Sequence, residues 1–394
     1  MIKKSLLAAI LLLVSIPFGV AAHNFIDVII LLLLIGLSKQ DGLRLRSLQC
    51  VIWLPLVLTI WTMISTVLNT ANQEQNVSHY LFGYLPLTLM PLLAMRYLSI
   101  KPEQLSVLKK TAVVVSVLWA LACVSQSFLG WSLKNPQGGI DFRPFGFYSH
   151  PLTLAYAALC IWPFAIKFVS LEQNRWSWSF VISIAAILIV TQSRACQGIA
   201  LLVLVWNLYV QVKGRVRLGL LCALALSITL ITVTNNPISN RFGALVSENN
   251  PDRFSEYPVD RMAFWHAHWE IIKERPVLGH GMHLNGFYRT PYYEKLGLHD
   301  FVKKYEAHNQ FIQIAANSGA IGLLIYLAWL ITLWQLSRSL NTSARQPLQQ
   351  MLIAFAIGSL FQNAYGDSEV RHFIMCTIVF CLLTLKHQSK TGQA

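Results

Sequence analysis

Continuous apolar runs make up most of this chain, and they constrain its fold more than any other feature. Twelve runs are present, at about 5–22, 24–38, 50–68, 81–98, 111–129, 148–168, 176–192, 197–211, 217–234, 310–335, 348–364 and 371–386. A helix needs about 20 largely apolar residues to cross a bilayer, whereas barrel strands would alternate apolar and polar residues. The runs predict an all-α, polytopic integral membrane protein with about twelve transmembrane helices.

The distribution of charge predicts the orientation of these helices. Charged residues are only 12% of the chain, yet the net charge is +14. With a cytoplasmic N-terminus, 18 of the 31 Lys and Arg fall in the termini and short loops on the inner side. The short outer loops hold only Lys134, Arg143, Arg194 and Arg371. This positive-inside pattern accounts for the basic composition without a nucleic-acid partner and predicts that both termini are cytoplasmic.

Residues 1–22 allow a second interpretation. They carry a Lys-Lys start, an apolar core and Val20-Ala21-Ala22, as in a cleaved signal peptide. The second apolar run crosses from outside to inside in either case, so the predicted orientation of the remaining helices is the same.

One polar segment, Asn235–Asn309, interrupts the apolar runs. Its 75 residues contain nine of the 31 Lys and Arg and six of the 11 His. The charge pattern places it on the outer face, as a loop at 235–309 between the ninth and tenth spans. We therefore predict a single membrane domain, 1–394, with one large, partly helical outer loop.

Within this loop the sequence predicts an amphipathic helix from Arg261 to about Arg275, with Asp260 as its N-cap. The predicted apolar stripe consists of Met262, Trp265, Trp269 and Ile272. Pro276 ends the helix, and Val277-Leu278-Gly279-His280-Gly281 is interpreted as a flexible turn. A stripe of this kind is typical of a helix on a membrane surface. An Arg at the positive end of a helix is mildly unfavourable, so Arg261 indicates an anionic partner.

Arg194 stands in a tight outer hairpin between two closely spaced spans. An Arg at this depth is often a snorkelling residue that meets lipid phosphate. Alternatively it acts as a phosphate clamp, because guanidinium is planar, permanently charged and bidentate toward phosphate.

His308 lies at the start of an amide stripe at the top of the tenth span. Asn309, Gln313 and Asn317 are spaced by four residues, so they share one helix face. Amides in this place are costly against lipid and predict a polar cavity. A lone interfacial His is usually a solvated or capping residue, but beside these amides His308 is a candidate general base.

The remaining candidates are assigned as substrate-binding residues. They are Arg143 and His150 in the outer loop before the sixth span, and His280 and Arg289 in the large loop. The six His of the large loop do not match a zinc-enzyme spacing. The outward-facing carboxylates are scattered rather than paired. We therefore predict neither a metal site nor a cofactor.

Taken together, these motifs resemble the O-antigen ligase and O-antigen polymerase superfamily. They are Ser193-Arg194, the Arg261 helix running into Pro276-Val277-Leu278-Gly279-His280-Gly281, His308-Asn309 followed by Gly319-Ala320-Ile321-Gly322, and Gly146-Phe147-Tyr148-Ser149-His150-Pro151. The resemblance implies a GT-C type glycosyltransferase of the Gram-negative inner membrane, with its active site facing the periplasm. It assigns catalytic roles to Arg194, Arg261 and His308.

The substrates implied are a glycan on undecaprenyl pyrophosphate as donor and a sugar hydroxyl of lipid A–core as acceptor. The nearest rival is an O-antigen polymerase, whose acceptor is a second lipid-linked glycan. A flippase or transporter is the alternative from another class. It would need functional polar groups within the spans, where Asp27 and Arg96 are the nearest ionisable residues and are expected near an interface.

Overall fold

The computed structural model describes residues 2–35, 46–69, 83–130, 143–211, 258–281, 286–295 and 306–391. This part of the chain contains helices and no strand. The helices are α1 (Ile2–Ser15), α2 (Val20–Ile35), α3 (Arg46–Leu68), α4 (Pro86–Tyr97), α5 (Pro102–Leu129), α6 (Pro151–Glu172), α7 (Arg175–Val190), α8 (Arg194–Gln211), α9 (Pro258–Glu274), α10 (Gly286–Lys295), α11 (Gln310–Arg338), α12 (Thr342–Gly358) and α13 (Ser368–Thr391).

Several of these helices have the length and composition of membrane spans. Within the described ranges, five meet both criteria: Gln49–Leu68, Pro102–Leu129, Pro151–Glu172, Gln310–Arg338 and Ser368–Gln388. Shorter apolar helices are Lys4–Ser15, Val20–Leu34, Arg175–Val190 and Arg194–Val210. The chain is therefore an all-α, multi-pass membrane protein. The predicted span at 217–234 lies outside the described residues, and the count of twelve stays a prediction.

The first predicted span is wrong in its extent. The run 5–22 is divided, because α1 ends at Ser15 and α2 already begins at Val20. A tight turn joins the two helices, with the amide of Phe18 donating to the carbonyl of Ser15 at 3.0 Å. Apolar composition continues through this turn, so hydropathy alone did not reveal it.

Helix α6 lies at the centre of the core. Its residues from Thr153 to Pro163 are all buried. Small side chains such as Ala155, Ala157 and Ala158 let α7 and α12 pack closely against it. The indole of Trp162 donates to the carbonyl of Ala200 in α8 at 2.9 Å. Around this core α11 packs on α3, α13 on α4, and α5 on α7.

Helix α11 is broken near its outer end. Gly319 has φ 65° and ψ −169°, a conformation that interrupts the helix and favours glycine. The turn after α9 fills the break: the amides of His280 and Gly281 donate to the carbonyls of Ala316 and Asn317, at 2.9 and 2.8 Å. In return, the amide of Ala320 donates to the carbonyl of Pro276 at 2.8 Å. The backbone groups that the break frees are therefore paired inside the protein.

This pairing overturns the expectation of a flexible turn at 277–281. Gly279, His280 and Gly281 are all buried. A Cβ atom at Gly319 would lie 2.1 Å from the carbonyl oxygen of Val277, so the two segments approach as closely as glycine allows. Gly and Pro in the sequence predicted the turn correctly. The segment that pairs with it, around Ala316 and Asn317, lies farther along the chain and could not be predicted from them.

The predicted helix is confirmed as α9, but it begins at Pro258, so Asp260 lies inside the helix and is not its N-cap. Its buried face also differs from the predicted stripe. The buried side chains are Phe264, Ala267, His268 and Ile271. Trp269, which the stripe included, is 57% exposed. The reason is that α9 packs on α11 and α10, where Ala316 and Tyr293 receive it.

Candidate functional site

The hairpin between α7 and α8 is held by Arg143. Its Nε and Nη2 atoms both donate to the carbonyl of Thr191, at 3.0 and 2.7 Å. The side-chain amide of Gln197 donates to the carbonyl of Leu188 at 3.0 Å and closes the hairpin from within. Arg143 is therefore fixed beside the turn from which Arg194 begins α8.

His150 caps the start of α6, and the charges of two other candidate residues affect its pKa. Its Nδ1 atom accepts from the amide of Leu152 at 3.1 Å, so it acts as the N-cap. Partial burial lowers the pKa of His150, and the charges of Arg143 and His308 lower it further. His150 therefore lies between Arg143 and His308.

Hydrogen bonds to other segments of the chain hold the loop that carries Arg143 and His150. Gly146 has φ 60°, and its amide donates to the side chain of Gln126 at 2.9 Å. The amide nitrogen of the same Gln126 side chain donates back to the carbonyl of Gly146 at 2.8 Å. Tyr148 is buried and donates to the carbonyl of Ile16 at 2.6 Å.

Residues 306–309 form a short segment between α9 and α11, here called the 306–309 segment. The indole of Trp265 donates to the carbonyl of Ala307 at 3.0 Å, and the amide of Ala307 donates to Oε1 of Gln313 at 2.9 Å. His308 has φ 46°, in the left-handed region that non-glycine residues seldom occupy. Both flanking contacts hold the segment in this conformation.

Helix α9 borders His308 on the other side. The ring of Phe264 lies 5.7 Å from the ring of His308, centroid to centroid. Arg261 precedes Phe264 by three residues, so the two share one face of α9. The guanidinium of Arg261 lies 5.8 Å from the centroid of the Phe361 ring. Arg261 is half-buried near the loop between α12 and α13.

These contacts bring distant motifs to one place. Arg143 is bonded to the carbonyl of Thr191 in the hairpin before Arg194. The charges of Arg143 and His308 both affect the pKa of His150. The ring of His308 lies beside Phe264, on the face of α9 that carries Arg261. The contacts link three separate segments of the chain: the loop of Arg143 and His150, the hairpin that ends at Arg194, and the face of α9 beside His308. Cations linked in this way to an imidazole suit the binding of an anionic leaving group and the positioning of a hydroxyl.

The residues of the predicted amide stripe have two different structural roles. Asn309 is the N-cap of α11 and accepts from the amides of Phe311 and Ile312, at 3.0 and 3.2 Å. Gln313 donates to Asn317 at 2.9 Å, and both line a cavity described below. Gln310, which the stripe omitted, lines the same cavity and accepts from the amide of Tyr365 at 2.5 Å.

Of the other two predicted substrate-binding residues, His280 is described in full and Arg289 only by its backbone. His280 is buried in the turn that fills the break in α11. Its Nε2 atom lies 2.9 Å from the carbonyl oxygen of Ile271, and Asn69 donates to its carbonyl at 2.5 Å. These contacts favour a packing role. Arg289 belongs to α10, and its side chain lies outside the described part of the structure.

Sequence reasoning missed a second group of polar residues at the entrance to α13. Asp367 accepts on Oδ2 from Thr153 at 3.0 Å and from Gln362 at 3.2 Å. Glu369 accepts from the hydroxyl of Ser149 at 3.0 Å. Burial, together with the charges of Glu369 and Glu306, raises the pKa of Asp367 to about 7. The sequence Asp-Ser-Glu-Val-Arg-His, with four ionisable residues in six, was the available signal.

The expectation that few ionisable residues lie within the spans was also incomplete. Asp27 is buried within the protein, and its Oδ2 atom lies 3.7 Å from Nδ1 of His372. The ring of His372 stacks on that of His23 at 3.9 Å, centroid to centroid. A count of Asp, Glu, Lys and Arg leaves out both His residues, so the charge pattern did not single them out.

Comparison with known families assigns the segment that contains most of this site. Residues 178–327 match the family model described as O-antigen ligase. This segment belongs to the O-antigen ligase family. The predicted resemblance is therefore confirmed. The match includes Arg194, Arg261 and His308, but ends before the acidic group at α13 and begins after Arg143 and His150. No curated protein matches the chain.

Within the described residues, no group of three or more His, Cys, Asp or Glu side chains is arranged to hold a metal ion. Of the six His in the large loop, His283 and His299 lie outside those residues.

Proposed function

We propose that this protein is an O-antigen ligase of the inner membrane. It transfers a glycan from undecaprenyl pyrophosphate to a sugar hydroxyl of lipid A–core on the periplasmic face. The observation that supports this proposal is the series of contacts that leads from the Arg194 hairpin through Arg143 and His150 to His308 and α9, much of it within a segment of the O-antigen ligase family. The family supports a ligase- or polymerase-type activity, and the choice of ligase is ours.

Arg194 and Arg261 would bind the pyrophosphate, with Arg143 holding the hairpin in place. The bond between the anomeric carbon and the phosphate oxygen breaks, and the pyrophosphate leaves with the electron pair. Negative charge therefore grows on the leaving group in the transition state. Preorganised guanidinium groups stabilise such charge and need no divalent ion for it.

His308 would orient the acceptor hydroxyl and accept its proton. The hydroxyl oxygen attacks the anomeric carbon from the face opposite the pyrophosphate, so the configuration at that carbon inverts. The left-handed backbone of His308, held by Trp265 and Gln313, fixes the direction in which the imidazole points. A general base of this kind typically contributes about 10²–10⁴ in rate.

The experiment is complementation of a strain that lacks its own ligase. The wild-type chain is expected to restore a ladder of O-antigen on lipid A–core in a gel of the lipopolysaccharide. Arg194→Ala, Arg261→Ala and His308→Ala are expected to abolish the ladder although each protein still inserts. Arg275→Ala is the matched control, because Arg275 is exposed just after the end of α9.

Two results would contradict the proposal. No ladder in the ligase-null strain, together with conversion of single-repeat caps into a ladder in a polymerase-deficient strain that has its own ligase, identifies a polymerase. Uptake or flipping of the lipid-linked glycan without transfer identifies a transporter. Separately, loss of purified transfer activity in EDTA, recovered with a divalent ion, would overturn the metal-free mechanism.

A further inference from the structure

A cavity of about 670 Å³ lies beside the 306–309 segment. Glu306, Gln310, Gln313 and Asn317 line it on one side, and Asn363 and Arg371 on another. His308, in contrast, contacts Phe264 of α9. The 306–309 segment therefore presents Glu306 to the cavity and His308 to the α9 side. The volume is typical of a ligand site.

The walls of this cavity contain polar atoms that have no hydrogen-bond partner within the described residues. They are Oδ1 of Asn363, Nε of Arg371, Oδ1 of Asp27 and Nδ1 of His23. Each of these residues is more than nine-tenths buried. Buried polar atoms are nearly always paired in native proteins, so four such atoms on one cavity indicate that a polar ligand or water meets them.

The charges around the mouth indicate which polar ligand fits. Glu306 lines the cavity and accepts from the amide of Asn363. The charges of Glu306 and Glu369 both raise the pKa of Asp367, so the three carboxylates lie near one another. Arg371 is a cation in the lining; its Nη1 atom donates to the carbonyls of Tyr365 and Gly366, at 2.8 and 2.6 Å, and its guanidinium lies 3.9 Å from the centroid of the Tyr84 ring, which leaves Nε for a ligand. This surrounding repels a pyrophosphate but suits neutral hydroxyl groups, which donate to carboxylate and amide oxygens.

The deeper wall is apolar and reaches the outer surface of the helix bundle. Leu31, Leu58 and Met90 line it, together with Val28, which is 53% exposed. These residues belong to helices α2, α3 and α4. A ligand with a hydroxyl-rich head and an apolar tail therefore matches both ends of the cavity.

We propose that this cavity binds the sugar head group of the acceptor glycolipid, with Glu306 and Asn363 receiving its hydroxyls. The proposal rests on the ligase function proposed above and adds the place where the acceptor binds. Glu306 and His308 are two residues apart, so their Cα atoms lie within about 7 Å of each other. A short glycan held at Glu306 can present a hydroxyl to His308, while the donor pyrophosphate occupies the arginine side.

The test measures binding of the acceptor alone. The purified full-length protein in detergent is titrated with rough lipopolysaccharide, which ends at the core, in the absence of donor. Asn363→Leu and Glu306→Gln are expected to weaken binding at least tenfold and severalfold, respectively. Glu306→Gln keeps the side-chain shape, so it remains informative if Asn363→Leu folds poorly.

The matched controls replace the same residue types away from the cavity. Asn207→Leu removes a buried Asn that donates to Gln350 at 3.1 Å, and Glu172→Gln removes a carboxylate that accepts from Lys109. Both controls are expected to keep the wild-type affinity. In steady-state transfer, the two cavity variants should raise KM for the acceptor and leave KM for the lipid-linked donor unchanged.

Three results would overturn the proposal. They are wild-type protein that does not bind rough lipopolysaccharide, cavity variants that bind it normally, and cavity variants that raise KM for the donor instead. Failure of the proposed function is a different result, since binding is measured without transfer. A chain that binds rough lipopolysaccharide through Glu306 but restores no ladder would refute the ligase function and keep the cavity assignment.

Discussion

The two sides of the 306–309 segment differ in their charge. On the α9 side, Arg143 and Arg261 come from separate elements, and Arg194 begins the hairpin to which Arg143 is bonded. On the cavity side, Glu306 and Arg371 line the wall, and Nη1 of Arg371 donates to the carbonyls of Tyr365 and Gly366. The comparison teaches that a single short segment can separate a site for an anion from a site for neutral hydroxyls. A reaction between a lipid pyrophosphate and a sugar hydroxyl needs this separation.

The largest effect is expected on the arginine side. Arg194→Ala or Arg261→Ala should lower kcat by about 10²–10³, because each removes one preorganised donor to the developing charge. The rate of transfer from lipid-linked donor to rough lipopolysaccharide is the measurement, with Arg275→Ala as control. If KM for the acceptor rose and kcat stayed constant, the two sides would have been assigned the wrong way round.

The next effect tests whether both sides depend on the break in α11. Gly319→Ala should lower the yield of folded protein and abolish both acceptor binding and transfer, because the new Cβ would lie 2.1 Å from the carbonyl of Val277. Gly198→Ala is the matched control in α8, where a Cβ meets nothing within 4 Å.

Monodispersity in size-exclusion chromatography and the thermal unfolding midpoint measure the difference between these glycine variants. The control should be unchanged or stabilised by about 0.5–1 kcal/mol, as expected for alanine in a helix. A Gly319→Ala protein as stable as Gly198→Ala would show that the turn after α9 does not depend on the break.

A smaller effect tests the segment itself. Trp265→Phe removes the hydrogen bond from the indole to the carbonyl of Ala307, which is 3.0 Å long in the structure. A bond of this type contributes about 0.5–1.5 kcal/mol. We expect a severalfold lower kcat, because His308 is oriented less firmly, and little change in the donor KM. Trp269→Phe is the control, since Trp269 is exposed on the same helix. Equal activities of the two variants would remove Trp265 from the argument.

The smallest effect concerns the acidic side and depends on pH. The pKa of Asp367 is raised to about 7 in the folded protein, from the ordinary value of 3.8 that applies in the unfolded chain. For a raised pKa, the native state favours the protonated form, so stability is lost as the pH rises through about 7. Asp367→Asn should therefore raise the unfolding midpoint by a few degrees at pH 8 and hardly at all at pH 4. A larger gain at low pH would contradict the sign of this shift.

The sequence predicted most of the helices and the residues of one side of the site. Long apolar runs predict helices from neighbouring residues alone. Arg261 was recognised as a candidate because a cation is unfavourable at the N-terminal end of a helix. The stripe on α9 was predicted incorrectly, since Phe264 and Trp269 are both apolar and only packing against α11 chooses between them. Asn309 was predicted to line a cavity, but its side chain caps α11, because the free amides of Phe311 and Ile312 lie nearer.

Composition, hydropathy and motif order by themselves determined that this chain is an all-α membrane protein with an O-antigen ligase family segment. These properties depend on residues close together in the chain. Only the tertiary structure decided which side of the 306–309 segment each residue faces, and that Asn363, Asp27 and Arg371 share one cavity. Asp27 lies near the start of the sequence, whereas Asn363 and Arg371 lie near its end. Their meeting depends on how α2, α11 and α13 pack, which no local pattern encodes.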